Sequence, residues 1–274
     1  MGLEQQRVAF IGAGNMAQAL IGGLLGRGIA SGRVRAIEPF AATRDSVHQR
    51  YGIVVDEIAS DALQACTVIV LAVKPQVMHE VCAELAPHLR NALVISVAAG
   101  IRAQDIARWL GTGRVVRTMP NTPALVGAGI AGLAALNGAS AADRALAEEL
   151  MRAVGETVWV DEESQLDAVT AISGSGPAYV FLFIEALQEA AGKLGLNPDQ
   201  ARRLALATFA GATRLAQESS DPPHVLRERV TSKGGTTFAA LTRMAERGVK
   251  AGIVEGAEAA AARSRELGDE FARG

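Results

Sequence analysis

Val8-Ala9-Phe10-Ile11-Gly12-Ala13-Gly14-Asn15-Met16-Ala17 decides the fold: an apolar strand, a Gly-x-Gly-x-x-Ala turn, then a helix start. Gly12 permits the tight turn and Gly14 lets the backbone approach a pyrophosphate. Ala17, in place of a third glycine, still allows helix to pack closely on strand. The amides that open such a helix bind phosphate, helped by its dipole. The stretch predicts a nucleotide-binding turn.

Working outward, short β-branched runs alternate with Ala/Leu-rich stretches. Strands are expected near Arg7–Ile11, Val34–Ile37, Val68–Ala72, Leu93–Ser96 and Val115–Thr118. A weaker pair near Gly129–Leu133 and Thr157–Val160 flanks a helix containing Asp143–Val154. Val68-Ile69-Val70-Leu71 and Leu93-Val94-Ile95 are continuously apolar, as expected of strands buried on both faces of a parallel sheet. After Glu162 the strands stop and helical periodicity takes over, kinked or restarted at Gly174-Ser175-Gly176-Pro177. The expectation is a Rossmann-type, doubly wound α/β domain over 1–162 and an all-α domain over 163–274. The helices of the second domain have more than one face to bury, which points to dimerisation through them.

Hydrophobic residues make up 49% of the 274 residues but aromatics only 4%, so Ala, Leu, Val and Gly must fill the interior. The net charge of −2, from 27 basic and 29 acidic side chains spread evenly, offers no groove for nucleic acid and no basic membrane patch. Cys66 and Cys82 lack Cys-x-x-Cys spacing and read as reduced thiols of a cytoplasmic protein. No leader is expected at the N-terminus, and charge or glycine interrupts the apolar stretches, so no membrane span is expected. His48, His79, His88 and His224 recur in no ligand spacing, so no metal is expected.

The cofactor candidates follow from strand ends. Gly12, Ala13, Gly14, Asn15, Met16 and Ala17 form the phosphate turn. Glu38, ending the second strand, stands where a ribose 2′-hydroxyl is recognised and favours NAD; Arg44, just downstream, could instead receive a 2′-phosphate. Ala72-Val73-Lys74-Pro75, Ala98-Ala99 and the Asn121 loop end later strands, where ligands of such sheets sit. In the helical half, Thr231-Ser232-Lys233-Gly234-Gly235-Thr236-Thr237 opens a helix with amides and hydroxyls suited to a small anion. From spacing alone, Ser232 and Thr236 serve equally well as helix caps.

Together these motifs, with Val73-Lys74-Pro75-Gln76, Met119-Pro120-Asn121-Thr122-Pro123, Asp167-Ala168-Val169-Thr170 and Ser173-Gly174-Ser175-Gly176-Pro177-Ala178-Tyr179, resemble the pyrroline-5-carboxylate reductase family, end to end. The resemblance implies NADP(H) as cofactor, with NAD(H) as the alternative, and reduction of a cyclic imine carboxylate to proline. It also implies an interlocked homodimer with sites at the subunit interface, assembled in some members into a decameric ring. The Ser232 hydroxyl and the amides of Gly235 and Thr236, at a helix start, fit the carboxylate of such a substrate; the resemblance implies Thr237 at the ring nitrogen as catalytic residue and Glu163 in the neighbourhood of the product. The family's Ser-Pro-Gly-Gly reads Ser232-Lys233-Gly234-Gly235 here. The loss of proline loosens the turn, or Lys233 adds charge beside the carboxylate. Where many members have an asparagine that contacts cofactor, this chain has Ala59-Ser60-Asp61, and no role is carried over.

Two other readings compete. A β-hydroxyacid reductase would need a lysine in the helical domain, where Lys193 stands without an accompanying motif. A nucleotide-binding regulator without catalysis is disfavoured by retention of Ser232, Thr236 and Thr237.

Overall fold

The computed structural model describes residues 2–272. Two compact units divide the chain: one runs to Ser175 and regains the chain from Ala260 onward, the other is Gly176–Ala259. In the first, β1 (Val8–Ile11), α1 (Asn15–Gly26), β2 (Val34–Ile37), α2 (Ala41–Tyr51), β3 (Val54–Asp56), β4 (Val68–Leu71), α3 (Met78–Leu85), β5 (Leu93–Ser96), α4 (Ala103–Leu110) and β6 (Val115–Met119) alternate strand and helix. β7 (Gly129–Ala135), α5 (Ala141–Met151), β8 (Gly155–Trp159) and the short α6 (Leu166–Val169) follow. The sheet order is β3-β2-β1-β4-β5-β6-β7-β8. All neighbours are parallel except β6 and β7, which pair antiparallel with Thr118 opposite Leu133.

Strand periodicity sorts the core onto two faces. Val8 and Phe10 of β1 join Leu20, Ile21 and Leu24 of α1 on one face. Ala9 and Ile11 join Ile69, Leu71, Met78 and Cys82 on the other. This is the doubly wound sheet expected, with the antiparallel strand and its partner added at one edge. β3 is the strand missing from the sequence reading: it has only three residues, and the β-branched run Ile53-Val54-Val55 that announces it is short and ends at once in Asp56-Glu57.

The compositional boundary at 162 marks where strands stop, whereas close packing continues to Ser175. Leu166 and Val169 lie so near Gly132 of β7 that a Cβ there would come within 2.7 Å of Val169. Asn121 also donates to the Ser173 carbonyl at 3.2 Å. One π-helical turn, Thr170–Gly174, then joins α6 to α7.

The second unit contains α7 (Gly176–Lys193), α8 (Pro198–Glu218), α9 (Pro223–Arg229), α10 (Thr236–Glu246) and most of α11 (Val249–Phe271). Pro177 is accommodated in the first turn of α7, where its missing amide costs nothing. α7 and α8 pack with Phe183 and Phe209 rings 6.4 Å apart. The helical run Glu163–Lys193 is long and apolar enough to span a bilayer, with a mean hydropathy of 1.3 over its best window. The expectation that charge or glycine breaks every apolar stretch fails here, because a helix tolerates isolated glycines.

Candidate active site

The phosphate turn is built as its sequence requires. Gly12 has φ +90°, and a Cβ on it would lie 2.8 Å from the Ala72 carbonyl oxygen, so no other residue fits. A Cβ on Gly14 would meet nothing within 4 Å, which marks open space over the turn. Gly14 is also the N-cap of α1 and supplies no side-chain cap, so the first amides of Asn15, Met16 and Ala17 keep their donors for a ligand. This open turn under an uncapped helix end fits the pyrophosphate of a dinucleotide.

Around it, the ends of β1, β2, β4, β5 and β6 bring Glu38, Ala72, Val73, Lys74, Pro75, Ala98, Ala99 and Asn121 to the same edge of the sheet. Glu38 is 7% exposed. It accepts from the Ala13 amide at 3.0 Å and from the Phe40 amide at 3.1 Å. Each oxygen has lone pairs left for a ribose diol. Beside it Phe40 is 71% exposed, an apolar surface next to Glu38 that the sequence reading did not single out. Lys74 is exposed at the end of its loop. Asn121, by contrast, is committed at both ends, donating to Ser173 and accepting from the Ile130 amide at 3.0 Å. It fixes the Met-Pro-Asn loop rather than presenting a free amide.

Glu163 is also engaged: its Oε1 accepts from the Ala103 amide at 2.8 Å and from Arg117 at 3.0 Å. Arg117 is 4% exposed. The sequence signal for this clamp is an arginine inside the apolar run Val115-Val116-Arg117-Thr118, since a buried arginine requires a carboxylate nearby. On the same side the end of α11 docks through Ser264, whose hydroxyl donates to Asp167 at 2.6 Å, and through an Arg102–Asp269 ion pair. Among the described residues, no group of three His, Cys, Asp or Glu could hold a metal.

The anion loop lies in the second unit. The Gly235 amide donates to the Ser232 carbonyl at 3.0 Å, and Gly234 has φ +74°. That is the pattern of a type II turn with Lys233 and Gly234 at its centre. The Gly235 amide is therefore consumed by the turn, and the free donors move to Thr236 and Thr237, the first residues of α10. Gly235 is the N-cap and α10 has no side-chain cap, so Ser232 and Thr236 keep their hydroxyls. Neither hydroxyl caps the helix, so both are free, and an uncapped helix start of this kind suits an anion.

Comparison with known proteins gives the same picture from another side. Residues 163–267 match the family model described as pyrroline-5-carboxylate reductase dimerisation. Residues 7–100 match that of NADP oxidoreductase, coenzyme F420-dependent, which covers only the nucleotide-turn half. The chain is 46% identical to a Pseudomonas aeruginosa pyrroline-5-carboxylate reductase, covering 98% of this chain and 99% of the relative. A Coxiella burnetii pyrroline-5-carboxylate reductase structure is 39% identical with a TM-score of 0.89, covering 96% of this chain and 98% of that one. A Plasmodium falciparum pyrroline carboxylate reductase, solved with NADP bound, is 29% identical with a TM-score of 0.86, covering 97% of this chain and 100% of that one.

Proposed function

The chain belongs to the pyrroline-5-carboxylate reductase family, and from that premise we propose how its own residues carry the reaction. It is an oxidoreductase that uses NAD(P)H to reduce the imine of 1-pyrroline-5-carboxylate to proline. The observation that carries this reading is identity across nearly the whole chain, with both halves of the site retained.

The proposed division of labour follows the geometry. Ser232 and the Thr236 and Thr237 amides hold the substrate carboxylate at the start of α10. Gly235 contributes by closing the turn. Thr237 Oγ1 orients the ring nitrogen, and the proton that nitrogen gains comes through Thr237 or from solvent. The Gly12–Ala17 turn, Glu38 and the loops at Val73, Lys74, Pro75, Ala98 and Ala99 position the nicotinamide dinucleotide. Bound in its reduced form, it supplies the hydride that the imine carbon accepts. Asn121 and Glu163 act by fixing the loops they tie together. No strong general acid is required, because a protonated imine is itself a good hydride acceptor and catalysis rests on positioning.

Both NADPH and NADH are admitted in this reading; the NADP-bound P. falciparum relative supports the former and Glu38 the latter. A homodimer is the proposed unit, supported by the dimerisation model over 163–267 and by apolar side chains such as Phe181 and Leu182 left exposed on α7. The same partner accounts for the apolar run Glu163–Lys193 without a membrane. A decameric ring would be built from such dimers. A cytoplasmic location is proposed on the two free thiols, Cys66 and Cys82.

The deciding experiment follows oxidation of NADPH and NADH by purified protein with 1-pyrroline-5-carboxylate. Turnover that yields proline is expected. Folded protein that binds cofactor yet leaves the imine untouched would overturn the assignment.

A further inference from the structure

NADPH and NADH differ by one phosphate on the adenosine ribose, so preference between them is decided at the ribose end of the site. The ribose end of the site is formed by the β2–α2 loop, and β3 lies directly alongside. Ile37 pairs with Asp56, and the Glu38 amide donates to the Asp56 carbonyl at 2.9 Å. This pairing carries the next residue, Glu57, up to the loop that would recognise the ribose.

Arg44, on the first turn of α2, is the cation of that loop. Its Nη1 donates to the carbonyls of Glu38 at 3.0 Å and Pro39 at 2.6 Å, while its Nη2 donates to Glu57 Oε2 at 3.0 Å. Its side chain is 20% exposed and that of Glu57 is 65% exposed. The guanidinium is thus held on three oxygens, and its charge is offset by a carboxylate from the neighbouring loop. Glu38, a second carboxylate, is fixed by two backbone amides with its remaining lone pairs available to hydroxyl donors.

We propose that Glu57 sets cofactor preference, favouring NADH over NADPH, by engaging the Arg44 guanidinium and offsetting the charge that a ribose 2′-phosphate would need. The inference rests on the reading of this edge as the dinucleotide site. A phosphate monoester brings about −1.5 to −2 charges at neutral pH. It would meet the Glu38 carboxylate and an arginine already paired. To bind it, Arg44 must leave Glu57, which then stays as a nearby uncompensated anion. A 2′-hydroxyl asks nothing of Arg44 and donates to Glu38. Glu57 touches neither cofactor in this account; it is a positioning residue acting through Arg44.

The test compares wild type with Glu57→Gln, Arg44→Met and the double variant in the assembled enzyme. Dissociation constants for NADPH and NADH are titrated without imine, then catalytic efficiencies are measured with it. Wild type is expected to bind NADH more tightly. Glu57→Gln should tighten NADPH about three- to fivefold, the scale of a partly exposed ion pair, and leave NADH unchanged. With Arg44→Met in place, Glu57→Gln should have no further effect. Equal changes for both cofactors would mean a structural role and overturn the proposal. So would a gain in NADPH binding that survives loss of Arg44, or a wild type that already prefers NADPH. Because the titration needs no imine, the proposal stands or falls on it even if turnover of pyrroline-5-carboxylate fails, a failure that would strike only the assigned reaction.

Discussion

At the scale of single residues, hydroxyls and thiols divide into groups left free and groups shut in. Thr237 stands in the uncapped first turn of α10, with no structural employment for its hydroxyl. Thr237→Ala should therefore leave stability unchanged and lower turnover by the equivalent of about 1–3 kcal/mol, the worth of one hydrogen bond to a polar substrate. An unaltered rate in folded protein would remove Thr237 from the mechanism. Phe40 makes a contrasting case. Its ring is exposed, and in the proposed site it would face the adenosine half, which both cofactors share. Phe40→Ala should thus weaken NADH and NADPH binding by the same factor, unlike changes at Glu57; a selective loss would contradict this placement. Cys82 lies among the core residues under β4, and burial pushes its thiol up to about 12. Cys66, half buried, is also raised by burial, partly offset by Arg35 and Arg7. Neither thiol is a nucleophile at neutral pH, which agrees with a site that uses none.

At the scale of elements, the turn Ser232–Gly235 shows how local chemistry can be read and improved. Lys233 occupies the central position where a type II turn prefers proline. Lys233→Pro should raise stability by about 0.4–1 kcal/mol by restricting the unfolded chain, with turnover retained. A loss of activity with a normal fold would show that the Lys233 charge serves the substrate carboxylate. The start of α5 illustrates a buried charge instead. Asp143 closes a capping box with Ser140 and pairs with Arg114 at 2.6 Å. Burial opposes ionisation there, but the Arg114 hydrogen bond, the Ser140 amide and hydroxyl and the Arg114 charge together hold its carboxyl below the usual range. A lowered carboxylate pKa stabilises the fold above the unfolded-state value, and that contribution is lost as pH falls through the folded-state value. Asp143→Asn should cost about 2 kcal/mol at neutral pH, with the deficit narrowing towards pH 3, as chemical denaturation at several pH values would show. A deficit that persists undiminished in acid would mean that the charge is not what Asp143 contributes.

At the scale of the molecule, legibility follows contact range. The sheet was readable because buried parallel strands are continuous apolar runs and the glycine turn has its own grammar. β3 was harder to read, since the run Ile53-Val54-Val55 is short and closes on charged residues. The Arg117–Glu163 and Arg44–Glu57 pairs join residues distant in sequence, and only pairing of β2 with β3, or packing of 163–175 on the sheet, brings them together. The excess apolar surface expected of a dimer-forming domain includes a stretch of α7. Val180, Phe181 and Leu182 are consecutive on α7 yet all exposed, at 42%, 65% and 62%. Three successive residues, about 100° apart, span roughly 200° of the helix, so a single-sided core cannot bury them together. Burial by a second copy would remove their apolar area from water, each such side chain contributing about 1.5–3 kcal/mol. Phe181→Asp places a charge in that interface, and a desolvated, unpaired carboxylate is strongly unfavourable there. The variant should run as a monomer by light scattering, keep its helical circular dichroism, bind cofactor at the glycine turn, and lose turnover, if the substrate site needs both subunits. A monomer with full activity would separate assembly from catalysis and confine the site to one chain.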